Sequence, residues 1–442
     1  MKNLLSLLCI LLLAISCKTN STTSKVKNSQ ELIITSDIDL FWKAYDKIIQ
    51  TTDTTLQQKY LQELYFDKGS SGLDGIIKAR NYTAAEYLRA INNYPLFWQS
   101  VRKNTLKAEN ISKELEYGIE RLKRVYPNLK PTKMYFTVGA LRTNGTAIDG
   151  MLLIGSELAM ADTSTVASEF PKNFSYLKDY FKTNPIENIV ALNIHEYVHT
   201  QQNTTGGYDL LSQALFEGVA EFIPVIALKK KSNTPAIAFG KANEKKVREI
   251  FEKEMFSPWY YNWIWNDNKN EFQVRDLGYY VGYAMAEKYY NQSENKQEAI
   301  KNLIELDYTS RENAENFIDK TGYFEKPLSQ LRKEYEKNRP KVIAIEEFEN
   351  NSQSVDREVT TITVVFSKKM DTRFRSFELG ELGREHYPEF EKIEFSEDGK
   401  KLIFYPKQLD KNKTYQIVLE EGFRSKKYNL PLKRQLIEFK TK

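Results

Sequence analysis

Apolar positions change their spacing as the chain is read from one end to the other. From Asp37 to about Asn128 they recur at helical intervals, as in Leu40, Phe41, Tyr45 and Ile48 and again in Ile111, Leu115, Ile119 and Leu122, which predicts amphipathic helices. Two short apolar runs follow, Met134-Tyr135-Phe136-Thr137-Val138 and Met151-Leu152-Leu153-Ile154. They flank a turn-rich segment holding Asn144-Gly145 and Asp149-Gly150 and read as a strand pair. A helix is then predicted to start with Asn184 as N-cap and Pro185 at its first position. Another begins near Asp209 and carries Pro224, which should kink or end it. Helical spacing continues to about Asn338. At Arg339-Pro340 the period becomes two: Ile362, Val364 and Phe366, then Leu402 and Phe404, then Tyr415, Ile417 and Leu419. Turn residues such as Glu397-Asp398-Gly399 and Asp410-Lys411-Asn412 separate these runs. The predicted fold class is α+β, with a mostly helical domain carrying a small β-sheet over residues 31–338 and an all-β sandwich over residues 340–442.

Composition narrows the function. With 442 residues, 41% of them apolar and 13% aromatic, the chain is globular and long enough for more than one domain. Its 64 basic and 59 acidic residues leave a dilute +5, which gives no reason to expect a nucleic-acid partner. Two cysteines exclude a disulfide framework and any cysteine-rich zinc or iron–sulfur module. Met1-Lys2-Asn3 and the apolar run from Leu4 to Ile15 read as a secretory signal. The run ends in Ala14-Ile15-Ser16-Cys17, which resembles the bacterial lipoprotein cleavage box. That resemblance implies loss of residues 1–16 and a lipid on Cys17, with residues 17–30 as a polar tether. No later stretch reads as a membrane span, so the expected attachment is the lipid alone, at the bacterial cell envelope. No acidic run follows Cys17, which points to a periplasm-facing orientation.

A scarce residue type carries the chemistry. Two of the three histidines fall in His195-Glu196-Tyr197-Val198-His199. Histidines at i and i+4 lie one turn apart on one helix face, so both imidazoles can reach one metal ion. Glu196 is rotated about 100° from His195, toward the rim of that face. Zinc needs a third protein ligand. His386 lies in the predicted sandwich and Cys17 at the tether, so a carboxylate on a nearby helix is expected. Leu215-Phe216-Glu217-Gly218-Val219-Ala220-Glu221 offers two on one face. Glu217 can bind the metal while Glu221 reaches back to a histidine's free N–H, and Gly218 leaves room for a close helix approach.

H-E-x-x-H followed by E-x-x-x-E resembles the gluzincin metallopeptidases, and Phe-Glu-Gly-Val-Ala-Glu is similar to their aminopeptidase branch. Residues 37–338 look most like the predicted zinc-dependent protease lipoproteins of Bacteroidota-type bacteria. The resemblance implies a zincin-like catalytic domain that hydrolyses peptide or protein substrates. It selects His195, His199 and Glu217 as zinc ligands, Glu221 as their support and Glu196 as the base for a metal-bound water. A Tyr or His usually donates to the oxyanion, and with histidine excluded by the count the candidates are Tyr279 and Tyr283 in Gly278-Tyr279-Tyr280-Val281-Gly282-Tyr283. An upstream edge strand, 136–139 or 151–155, would pair with extended substrate. Glu157 is reminiscent of the acidic residue that holds a free N-terminus. Trp259, Trp263 and Trp265 read as core rather than groove. The stretches Thr363-Val364-Val365-Phe366-Ser367-Lys368-Lys369-Met370-Asp371 and Tyr405-Pro406 resemble bacterial Ig-like modules. The expected function is thus zinc-dependent peptide hydrolysis at the envelope. The alternative is an envelope binding or adhesion lipoprotein with a structural or inactive zinc site.

Overall fold

A computed structural model describes residues 32–265 and 270–442. The signal segment, the lipidation candidate Cys17 and the tether lie outside the described residues. Of the expected fold, the α+β class holds, with 48% of residues helical and 14% in strands.

Strand β1 (Ile33–Ile34) precedes six helices that run from Ser36 to Val125, as the helical spacing predicts. Strands β2 (Lys133–Thr137), β3 (Thr146–Ile148) and β4 (Met151–Gly155) follow, and the sheet order is β1-β2-β4-β3. The two predicted strands do pair, with Lys133 opposite Met151 and Thr137 opposite Gly155, but they run parallel. Four of the five positions in each are buried. Burial on both faces is why they read as unbroken apolar runs. The turn-rich segment supplies β3, which turns back on β4 through Asp149-Gly150 and pairs with it antiparallel. Positive φ values at both turn residues, 49° and 74°, suit Asp-Gly there. This arrangement corrects one of the two candidates for the substrate strand, 151–155. Segment 151–155 is the interior strand β4, paired with β2 on one side and with β3 at residues 151–153 on the other, whereas only Phe136 and Thr137 of 136–139 lie in β2, past the residues that β1 pairs.

The helix carrying the histidines, Pro185–His199, is called the motif helix below. Pro185 occupies its first turn as predicted, but Asn184 is no side-chain cap. Its φ of 56° ends the preceding helix, Ser175–Lys182, in the left-handed region, and its Oδ1 accepts no hydrogen bond. The next long helix, Leu210–Leu228, starts on a capping box in which Asp209 Oδ1 accepts the Ser212 N–H at 2.9 Å. Pro224 sits inside this helix and does not end it. Contrary to the sequence reading, Leu210–Leu228 is long and apolar enough to cross a membrane, yet 83% of its apolar window is buried by the rest of the protein. It is a core helix. It packs on the helix Leu277–Gln292 at Gly218 and Gly282, where an added Cβ on either glycine would run into the other helix's backbone. Trp263 is part of this core, whereas Trp265 is 55% exposed.

The last helix, Leu328–Asn338, gives way to strands β5 (Val342–Ile345), β6 (Ser352–Val355), β7 (Ile362–Phe366), β8 (Phe377–Glu378), β9 (Phe390–Phe395), β10 (Lys401–Pro406), β11 (Thr414–Leu419) and β12 (Gln435–Thr441). They form two four-stranded sheets, β5-β7-β10-β9 and β6-β12-β11-β8. Ile362, Val364, Phe366, Leu402 and Phe404 of the first share one apolar cluster with Tyr415, Ile417, Leu419, Ile437 and Phe439 of the second. That interior is the alternation read from the sequence. Against the helical region, the Arg424 guanidinium lies over Trp259 at 3.9 Å and over Phe374 at 4.0 Å.

Candidate metal centre

The motif helix and Leu210–Leu228 bring three donor atoms to one point. His199 Nε2 lies 3.0 Å from His195 Nε2 and 3.3 Å from Glu217 Oε2, and His195 Nε2 lies 3.7 Å from the same oxygen. His195 and Glu217 are buried and His199 half-buried. Four-coordinate zinc with bonds of about 2.0–2.1 Å sets neighbouring donor atoms about 3.3 Å apart. The three observed separations bracket that edge, so the residues fit the ion that the sequence resemblance implies.

The far side of each imidazole is also held. Glu221 Oε2 stands 3.4 Å from His195 Nδ1, an ion-pair separation without hydrogen-bond geometry. Its other oxygen accepts the hydroxyls of Ser232 and Thr234. His199 Nδ1 lies 2.7 Å from Gln202 Oε1, and Gln213 Nε2 donates to Glu217 Oε1 at 3.1 Å. Such outer contacts orient ligands and raise their basicity. The sequence reading named Glu221 and missed Gln202, Gln213, Ser232 and Thr234. Gln202 left a faint signal, a polar residue three positions past His199. Ser232 and Thr234 lie in the loop after the buried helix and left none.

Electrostatics without metal are those of a packed ion cluster. Burial works against charge on His195, but Glu217 and Glu221 outweigh it and hold the imidazolium pKa up at about 10. Burial pushes the Glu217 carboxyl upward, yet its close contacts with the two imidazoles win and hold it far below the usual range. Glu221 is lowered in the same way, burial again being overcome by His195. Glu196 is half-buried, and its carboxylate makes no hydrogen bond or ion pair with the described residues.

The remaining candidates separate. Tyr279 is at the centre: its ring lies 6.1 Å from that of His195, nearly parallel, and its hydroxyl accepts Trp265 Nε1–H at 3.1 Å. Burial and the Glu217 charge raise its phenol well above the ordinary value. Tyr283 is not brought there. One turn further on, it donates to Glu287 at 3.3 Å and packs edge-on against Phe222. Glu157 is not a substrate contact either. It is 0% exposed, and its carboxylate accepts the N–H groups of Gly139 at 2.9 Å and Leu141 at 3.1 Å. Those bonds brace the loop after β2, while burial raises its pKa to about 7. His386 is remote, with Nδ1 on the Thr414 carbonyl at 2.7 Å.

Comparison with known families decides the lineage. The chain matches the family described as gliding motility protein GldB over residues 19–259, more than half its length and including every residue of the cluster. The chain belongs to the GldB family. No curated protein shows a significant match. The GldB family is one of Bacteroidota lipoproteins, which places the chain at the cell envelope with a membrane anchor, as the segment ending at Cys17 led one to expect. The same match corrects the expected function. A gliding-motility lipoprotein family is not a protease family, and zinc-dependent peptide hydrolysis gives way to the alternative of an envelope lipoprotein. The H-E-x-x-H spacing misled because it specifies a pair of metal donors and not a reaction.

Proposed function

We propose that this chain is a lipid-anchored, periplasm-facing envelope protein that serves gliding motility and uses one zinc ion as a structural pin. The observation that carries the reading is the GldB family match over residues 19–259. The donor geometry of His195, His199 and Glu217 supports the metal. These three residues would hold the ion, which when bound supplies a cross-link between the motif helix and Leu210–Leu228. Glu221 and Gln202 orient the imidazoles, and Tyr279 with Trp265 covers one side. We read the helical region as zincin-like in fold. The two-sheet C-terminal region is read as an Ig-like module that contacts another envelope component.

Deletion of the gene in the source bacterium, followed by measurement of colony spreading, tests this reading. Spreading should be lost, restored by the intact chain and not restored by Cys17→Ala. Spreading unchanged by deletion would overturn the motility assignment. Metal analysis of the purified full chain should find about one zinc per molecule.

A further inference from the structure

Beyond the three donors, the turn after the motif helix holds a side chain whose two ends fix each other. Gln202 is 8% exposed. Its Nε2 donates to the Phe216 carbonyl at 3.0 Å, and its Oε1 lies 2.7 Å from His199 Nδ1. A carbonyl oxygen can only accept, so the NH2 end of the amide must face Phe216. That leaves Oε1 toward His199, and an oxygen there requires the proton on Nδ1. In the neutral ring this tautomer leaves the lone pair on His199 Nε2, which faces Glu217 Oε2 at 3.3 Å and His195 Nε2 at 3.0 Å. The anchoring carbonyl belongs to the residue just before Glu217, so one side chain ties His199 to the segment carrying the carboxylate donor. The Phe216 ring lies almost flat against the imidazole, with centroids 4.7 Å apart at 22°, and keeps it from turning.

We infer that Gln202 is a positioning residue that selects the Nδ1–H tautomer of His199 and presents its Nε2 to a metal ion. His195 has a carboxylate, Glu221, in the equivalent place. The neutral amide gives His199 a fixed proton without adding charge. The consequence for metal rests on the zinc reading above; the tautomer does not.

With only three histidines, the full chain labelled with ring-15N histidine gives a readable long-range proton–nitrogen spectrum. In metal-free protein His199 should show the Nδ1–H pattern, and Gln202→Leu should lose it while His386 is unchanged. By competition with a chromophoric chelator, Gln202→Leu should bind zinc about 10–100-fold more weakly. Gln202→Glu keeps an oxygen opposite Nδ1 and should recover part of that loss, which separates positioning from a folding defect. An Nε2–H pattern in the unmodified chain would overturn the inference. Zinc affinity of Gln202→Leu within about threefold of the unmodified chain would do the same for the metal role. If the unmodified chain shows the Nδ1–H pattern but binds no zinc, the zinc reading fails and the tautomer assignment stands.

Discussion

Glu157 and Glu217 are both buried glutamates, and their surroundings push them in opposite directions. Glu157 lies at the start of the short helix after β4, and its two oxygens meet fixed backbone N–H groups. Those donors do not cancel the cost of burial, and the carboxyl is raised to about 7. Glu217 is hardly more exposed, at 4%, but its neighbours are two imidazole nitrogens that can take up or release a proton. They hold it ionised, far below its usual range. The difference teaches how to read a buried carboxylate. One satisfied by amides of a single loop braces that loop. One that faces several titratable nitrogens at ligand-to-ligand spacing has the donor arrangement of a candidate metal centre.

The largest effect is expected where the brace is removed. Glu157→Ala leaves the Gly139 and Leu141 N–H groups buried without acceptors, and should cost about 3–5 kcal/mol. Urea unfolding should show this as a lower midpoint with an unchanged slope. Zinc affinity should stay the same. A cost below about 1 kcal/mol would mean that water replaces the carboxylate, and the contrast with Glu217 would collapse.

Metal comes next. Zinc held at about a thousand times its dissociation constant should add about 4 kcal/mol to stability. A chelator should remove that increment, and His199→Ala should abolish it. Because His195 must give up a proton to bind metal, affinity should rise with pH up to about 10. Zinc-independent melting of the unmodified chain would break the metal side of the comparison.

A somewhat smaller effect is the pH dependence of the two glutamates, which falls in separate windows. The Glu157 pKa rises from 4.5 to about 7 on folding, so the native state binds the extra proton between those values. Stability should fall as pH rises from about 4.5 to about 7, by about 3 kcal/mol in all. Glu157→Gln should flatten that slope. Glu217 is depressed on folding, so its contribution is present above 4.5 and is lost only as pH falls below that. In metal-free protein the raised His195 adds stability below 6.5, lost as pH climbs through about 10. Urea titrations at pH 5, 7 and 9, with and without zinc, resolve these windows.

What was legible in the sequence follows from range. His195, His199, Glu217 and Glu221 stand four residues apart in pairs, and helical geometry converts that spacing into a shared face before any tertiary structure is known. The alternation after Arg339 gave the two sheets for the same reason. Glu157 was misjudged because its burial depends on how the loop after β2 folds over it, and no local pattern records that. Parallel pairing of β2 with β4 was hidden likewise, since the short antiparallel β3 between them has only three residues. Asn184 followed a reliable capping preference, but the preceding helix claimed the residue for its own left-handed end.

The smallest expected effect separates the two tyrosines that one helical face had put together. Tyr283→Phe removes a 3.3 Å hydrogen bond to Glu287 and leaves the ring against Phe222. The cost should be about 0.5–1 kcal/mol, because the bond is long and Glu287 keeps Lys241 at 3.0 Å. Zinc affinity should not change. Tyr279→Phe touches the other side of the comparison, because that hydroxyl accepts from Trp265 beside the Glu217 charge. Its loss should alter the fluorescence of exposed Trp265 and shift zinc affinity by a few-fold, well short of the effect of losing a ligand. Equal behaviour of the two variants would place both rings outside the metal centre and leave His195 without its aromatic cover.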